Sequence, residues 1–421
     1  MEDLLLLVHR IPYPPNKGDK IRSWHLLRYL AARYRVHLAT FVDDPDDWQY
    51  VAHVRKLCAS SHFALLNPRR ARLRSLRAVL ANRALSLDYY SDGATHAWVR
   101  RAMRANGIAR VVAFSSPMAQ YAQELPGVRR IVDLCDVDSE KWRAYAAKKP
   151  WPASMPYAYE AERLLRHERK VAASCDAALF VSAPEAELFR RLAPESAARI
   201  GWFGNGVDTE YFSPAACGAS PYQPGEQALV FCGAMDYWPN VDAVQWFANA
   251  VLPRIRARVP QVSFHIVGAR PTPAVQALAG LPGVTVTGAV PDVRPYVAHA
   301  ALSVAPLRIA RGIQNKVLEA MAMAKAVVVS PEALEGIDAA DGAEVLVAQA
   351  AEQYADTIVA ALADDARRDA LGHAARGRVA AAYGWEARLA ALDPLLEAEA
   401  PRHAAVAVRA GAMASPTWTG A

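Results

Sequence analysis

The sequence predicts an α/β protein built from two doubly wound parallel-sheet domains. Short apolar runs alternate with segments whose apolar residues recur at helical spacing, the mark of buried parallel strands joined by crossover helices. The alternation pauses near residue 204 in a turn-rich and proline-rich stretch and then begins again. A length of 421 residues allows two or three domains, each able to bury its own core.

In chain order, Leu4–Val8 is the first expected strand, followed by the turn at Pro12, Pro14 and Pro15. Ile21, Trp24, Leu27 and Leu30 then mark a helix. Further strands are expected at 36–42, 110–114, 129–134, 177–182 and 199–203, with a long charged helix over 155–173. Gly204-Asn205-Gly206 signals a turn, and Pro214, Gly218, Pro221, Pro224 and Gly225 give residues 206–226 a linker composition. Strands at 228–233, 263–268, 284–287, 301–305 and 326–330 follow, with helices over 241–256, 293–299 and 314–323. The expected organisation is therefore domain 1–205, linker 206–226, domain 227–380, a C-terminal helix over 381–399 returning to the first domain, and a disordered tail over 400–421.

Composition removes several function classes. The five cysteines are scattered, odd in number and without a C-x-x-C pair, which argues against a disulfide framework or a zinc ribbon. No apolar run reaches 18 residues and no basic leader precedes Leu4, so neither a spanning helix nor a signal peptide is expected. The eleven histidines show no metal-ligand spacing, so no metal is expected. The excess of 48 Lys+Arg over 42 Asp+Glu permits an anionic partner without demanding nucleic acid.

In an open α/β sheet, ligands bind beyond the carboxyl ends of the strands, so the loops there carry the candidate chemistry. One is Pro15-Asn16-Lys17-Gly18-Asp19-Lys20, where Gly18 at a helix start would let backbone N–H groups approach an anion; a plain turn with Asp19 as cap is equally consistent. The other runs Arg308-Ile309-Ala310-Arg311-Gly312-Ile313-Gln314-Asn315-Lys316. Cations at a helix N-terminus oppose the macrodipole, and a bound diphosphate would account for Arg308, Arg311 and Lys316 there. Glu319 lies four residues after Asn315 on the same helix face, suited to accept hydrogen bonds from a ribose. Asp136 and Asp138 are weaker candidates for an acceptor hydroxyl, since Asp138 also suits a helix cap. Asp236, Trp238, Pro239 and Asn240 are expected as an ordinary helix start. Arg69, Arg70, Arg72, Arg74 and Arg77 form a basic run that fits either a solvated helix face or an anionic lipid surface.

Asn205-Gly206-Val207-Asp208 with Tyr211-Phe212-Ser213-Pro214, and Lys316-Val317-Leu318-Glu319-Ala320-Met321-Ala322-Met323, resemble glycosyltransferase family 4, the retaining GT-B enzymes. The resemblance spans residues 3–397. Within the family, the 15–22 loop, Asp136-Val137-Asp138-Ser139 and Gly312-Ile313-Gln314-Asn315-Lys316 are most similar to sugar transferases of PEP-CTERM/exosortase exopolysaccharide clusters. It implies a GT-B fold: two Rossmann-like domains, an interdomain cleft, and a nucleotide-diphosphate sugar on the C-terminal domain without cofactor or metal. By the motif Glu319 contacts the ribose and Gly18 belongs to the loop approaching the phosphates. Two positions depart from the family pattern: Arg311 stands where a glutamate is usual, and Gly233–Trp238 lacks the usual arginine and lysine after the first strand of that domain.

The expected function is retaining hexosyl transfer to a hydroxyl of a polysaccharide or lipid-linked acceptor in exopolysaccharide synthesis. The expected catalytic residues are Lys316, Arg311, Asp136 and Asp138, with Gly18, Asp19, Arg308, Gly312, Ile313, Gln314, Asn315 and Glu319 binding the donor. The expected location is cytoplasmic, with residues 69–77 the contact to the inner face of the plasma membrane. Two alternatives remain open: a nucleotide-sugar epimerase of the same architecture, and a non-catalytic anion or nucleic-acid binder that the absence of a groove-reading motif disfavours.

Overall fold

The computed structural model describes residues 1–15, 17–123, 127–147, 149–310 and 313–398. The described chain divides into two compact units, Met1–Trp202 with the described residues from Leu392, and Phe203–Ala391.

The first unit holds strands β1 (Asp3–Val8), β2 (Arg35–Val42), β3 (Ser60–Leu65), β4 (Arg110–Phe114), β5 (Arg129–Cys135), β6 (Ala177–Phe180) and β7 (Ile200–Trp202). They form one sheet in the order β3-β2-β1-β4-β5-β6-β7. Every pair is parallel, and β1 sits in register with both neighbours, Leu4 opposite Val36 on one side and Arg110 on the other. Leu4 through Val8 have no solvent exposure, as befits a central strand covered on both faces. The helix Gly18–Ala31 anchors to the sheet through buried charge: Arg22 Nε donates to Asp133 Oδ2 at 2.7 Å, with both side chains enclosed. Helix Asp393–Glu397 closes this unit, with Tyr29 Oη donating to Asp393 at 2.7 Å and Arg110 Nε to the Leu396 carbonyl at 2.6 Å.

The second unit holds β8 (Gln227–Cys232), β9 (Val262–Val267), β10 (Val284–Gly288), β11 (Leu302–Ala305), β12 (Val327–Val329) and β13 (Leu346–Val347). Their order is β10-β9-β8-β11-β12-β13, again parallel throughout. Its main core packs one face of the sheet against the helices through Phe231, Phe247, Phe264, Met321 and Tyr354, while Val230 and Val267 belong to a smaller cluster on the other face. Residues 206–226 belong to this unit: Val207 N–H donates to the Tyr383 carbonyl at 2.8 Å and the Tyr222 hydroxyl to the Tyr296 carbonyl at 2.6 Å.

The two doubly wound sheets are those the alternation predicts. Two strands escape it: β3, whose Ser60-Ser61-His62 start carries no apolar run at a sheet edge, and the two-residue β13. The helix expected over 241–256 starts at Trp238, because Pro239 fits the first helical turn, and passes through a π-helical turn at Phe247–Val251. The tail expected over 400–421 lies outside the described residues, as do Arg311 and Gly312.

Candidate functional site

In the second sheet the strand order reverses between β8 and β11, which opens a crevice at their carboxyl ends. The chain there is built for close approach. A Cβ on Gly268, just after β9, would lie 1.7 Å from the Gly233 carbonyl oxygen, and one on Gly233 would meet Asn240 Nδ2 at 2.7 Å. Only glycine lets these two loops touch. Ala234, Ala269 and Ala289 keep the neighbouring walls low, and the start of helix Asn315–Ala322 supplies the polar side of a cavity of about 570 Å³.

The polar groups on that side are Gln314, Asn315, Lys316 and Glu319, with Ile313 beside them. Lys316 Nζ donates to Asn240 Oδ1 at 2.7 Å, and Asn240 Nδ2 donates to the Ala234 carbonyl at 2.9 Å. The buried amide thus holds the ammonium in place from the helix that follows β8. Burial pushes the Lys316 ammonium down to about 8, against the pull of Glu319 and Cys232. Burial also pushes the Glu319 carboxyl up to about 7, against the pull of Lys316. Each charge is therefore held in a poorly solvated wall, and an arriving phosphate would favour the charged lysine. Gln314 makes no side-chain cap to the helix, whose first turn begins at the cavity. Burial pushes the Cys232 thiol up to about 12, which leaves it protonated and a poor nucleophile.

Five sequence-predicted residues, Ile313, Gln314, Asn315, Lys316 and Glu319, thus line one cavity. Arg308 is placed differently: its guanidinium forks onto the Asp242 carboxylate, with Nε 2.9 Å from Oδ2, and lies 5.9 Å from the Trp246 ring centre. It is not among the cavity's lining residues. Asn240, expected only as part of a helix start, is the residue that fixes Lys316. Its one sequence signal is its place in the loop after the first strand of the second sheet.

The remaining candidates lie in the first unit. Gly18 opens its helix after Lys17, and a Cβ there would meet nothing within 4 Å, so the space does not require glycine. Asp19 accepts from Arg10 Nη1 at 2.6 Å and lies 3.2 Å from His9 Nε2. Burial works to raise its carboxyl, yet the His9 hydrogen bond and the Arg10 charge hold it well below the usual carboxylate range. Lys20 turns inward to Asp47, with Nζ 2.6 Å from Oδ2. Asp136 and Asp138 share the Lys141 ammonium at 2.5 and 3.2 Å, and burial raises Asp138 despite that cation.

The first sheet reverses its order between β1 and β4. His9 follows β1, its ring stacked 5.6 Å from Phe114 at the end of β4. Among the described residues, His9 Nδ1 and the hydroxyls of Ser115 and Ser116 are buried without a hydrogen-bond partner, and Ser115 holds a positive φ of 77°. Among the described residues, no group of three or more His, Cys, Asp or Glu side chains gathers to hold a metal ion, and no helix is long and apolar enough to cross a membrane.

Residues 226–364 match a sequence family described as "Glycosyl transferases group 1". No match to the curated protein sequences was found. Among solved structures, sucrose-phosphate synthase from Thermosynechococcus elongatus superposes with a TM-score of 0.62 at 18% identity, over 94% of this chain and 98% of that one. Anabaena HepE, solved in complex with UDP and glucose, gives 0.58 at 13% identity over 94% and 100%. WaaG, a glycosyltransferase involved in lipopolysaccharide biosynthesis, gives 0.57 at 16% identity over 94% and 100%. The two parallel-sheet α/β units are thus those of the GT-B fold.

Proposed function

We propose that this chain is a retaining glycosyltransferase that moves a hexose from a nucleotide-diphosphate sugar to an acceptor hydroxyl, in the synthesis of an exopolysaccharide. The observation that carries the reading is the cavity at the β8–β11 reversal, with Lys316 held by Asn240 and Glu319 on the same helix. The match of residues 226–364, which contain that whole site, to group 1 glycosyl transferases supports it. So do the UDP-bearing complexes of Anabaena HepE and the lipopolysaccharide role of WaaG, two proteins of the same fold.

In this reading the diphosphate lies across the low walls at Gly233 and Gly268 against the start of helix Asn315–Ala322. Lys316 neutralises the charge that develops on the leaving diphosphate as the bond from the anomeric carbon to the phosphate oxygen breaks. The acceptor oxygen forms the new bond to that carbon, and its proton passes to the departing diphosphate. Glu319, once ionised, accepts the ribose hydroxyls. Arg308 is left to hold Asp242, so the cationic role falls on Lys316 and on Arg311, which precedes it by five residues. The acceptor binds the first unit, with Asp136 and Asp138 as its hydroxyl contacts. No metal and no cofactor take part.

The experiment is a thermal-shift screen of UDP, GDP, ADP and dTDP sugars, followed by turnover with and without an acceptor. Stabilisation by one nucleotide series, lost in Lys316→Ala and Glu319→Ala, is expected. Stereochemical change of the donor without an acceptor would instead mark an epimerase. Unchanged binding and turnover in both variants would overturn the assignment of the site.

A further inference from the structure

The arginine run lies on helix Pro68–Leu80, and the surface this helix presents is not an ordinary solvated one. Ala71, Ser75 and Ala78 face inward. Leu73, Leu76 and Leu80, at the i, i+3, i+7 spacing of a helical stripe, point the opposite way and are 69%, 61% and 93% exposed. Arg69, Arg70, Arg72 and Arg77 are exposed around that stripe, and none of them has an acidic partner among the described residues. Arg74 instead turns back, donating to the Asp88 and Tyr89 carbonyls at 2.7 Å each. Water gives no reason to expose a leucine stripe ringed with unpaired cations; an anionic bilayer surface does, because it takes the leucines into its acyl layer and the arginines at its phosphates.

Beside this helix lies a second cavity, of about 700 Å³, separate from the nucleotide-site candidate. Leu76 and Arg72 belong to its wall, so the exposed stripe and the cavity are continuous. The rest of the wall is mainly aromatic, with Tyr89, Trp142 and Tyr157 beside Leu85, and the carboxylate in it, Glu160, accepts from the Leu85 and Ser86 N–H groups. Trp142 packs on Tyr157 at 5.7 Å and on Tyr145 at 6.1 Å, and Tyr145, Trp151 and Met155 stand exposed nearby in sequence. Such amphipathic rings settle at the water–lipid boundary. The Ser86 hydroxyl, in the wall, is buried with no partner among the described residues, and Tyr90, also in the wall, packs edge-on against His9 at the end of β1.

We propose that helix Pro68–Leu80 docks on an anionic bilayer surface and that the adjoining cavity seats the aliphatic chain of one anionic lipid drawn from it. The leucines enter the acyl layer, the arginines meet head-group phosphates, and the aromatic wall receives the chain. The docking surface stands without the glycosyltransferase reading; that the seated lipid carries the sugar acceptor rests on it.

The test uses the full chain with phosphatidylcholine vesicles, alone or with about 30 mol% phosphatidylglycerol. Sedimentation with the anionic vesicles is expected, falling roughly tenfold or more on neutral vesicles, at raised salt, or in Leu73→Ser/Leu76→Ser/Leu80→Ser. A phosphatidylglycerol bearing a photoreactive acyl chain should label peptides within 72–90 and 142–160 of the unmodified protein. Equal binding to neutral vesicles, an unchanged leucine variant, labelling confined elsewhere, or tighter binding to a DNA duplex than to anionic vesicles would each overturn the proposal. The leucine variant should keep the thermal shift given by the nucleotide sugar. If no nucleotide sugar stabilises even the unaltered protein, the transferase reading fails while the vesicle result still decides the surface.

Discussion

At the scale of single residues, Lys316 and Glu319 make the second unit sensitive to pH. The Glu319 carboxyl is raised to about 7, so the folded state keeps its proton longer than the unfolded chain does. Its contribution to stability is complete below the unfolded value and is lost as pH rises through 7. The Lys316 ammonium is lowered to about 8, so its contribution is present at high pH and lost as pH falls through 8. The free protein should therefore pass through a stability minimum between pH 7 and 8, flattened on its acid side by Glu319→Gln and on its alkaline side by Lys316→Met. Nucleotide affinity should follow the opposite bell, since binding needs the carboxylate ionised and the ammonium charged. Titration of the melting temperature with and without ligand checks both; a flat profile in the unaltered protein would exclude this coupling. Lys316, Asn315 and Glu319 were legible in the sequence because three residues on one helix fix their own geometry. Asn240 was not, because its bond to Lys316 closes 76 residues of chain and exists only once β8 and its following helix are packed.

At the scale of elements, the loops after β8 and β9 are fixed by steric necessity. Gly268→Ala places a methyl group 1.7 Å from the Gly233 carbonyl oxygen, on backbone that cannot swing aside. Destabilisation of about 3 kcal/mol or more is expected in urea unfolding, at the upper end for overpacking. Gly18→Ala is the control, since its added methyl meets nothing, and it should unfold as the parent does. Central strands such as Leu4–Val8 were legible from their unbroken apolar runs. The edge strand β3 was not, because its Ser60, Ser61 and His62 are only partly buried and carry no such run. The basic run was legible as charge alone; that its leucines face outward depends on which side of the helix packs on the unit.

At the scale of the whole molecule, each unit has its own sheet and its own buried core. Calorimetry should therefore show unfolding broader than a single two-state step. A nucleotide sugar at 100 times its Kd should stabilise the step belonging to Phe203–Ala391 by about 2.7 kcal/mol. A single two-state transition that shifts as one would refute independent unfolding.

The sequence by itself determined the two parallel sheets and the helix that carries Asn315, Lys316 and Glu319. Apolar periodicity is a local property, and residues on one helix share a face whatever surrounds them. Only the tertiary structure decided that Arg308 turns to Asp242 and that Lys20 is buried against Asp47. It also decided that Asn240 fixes Lys316 and that a second apolar cavity opens beside an exposed leucine stripe. Charge and cavity are set by distance in space, and a sequence records distance only along the chain.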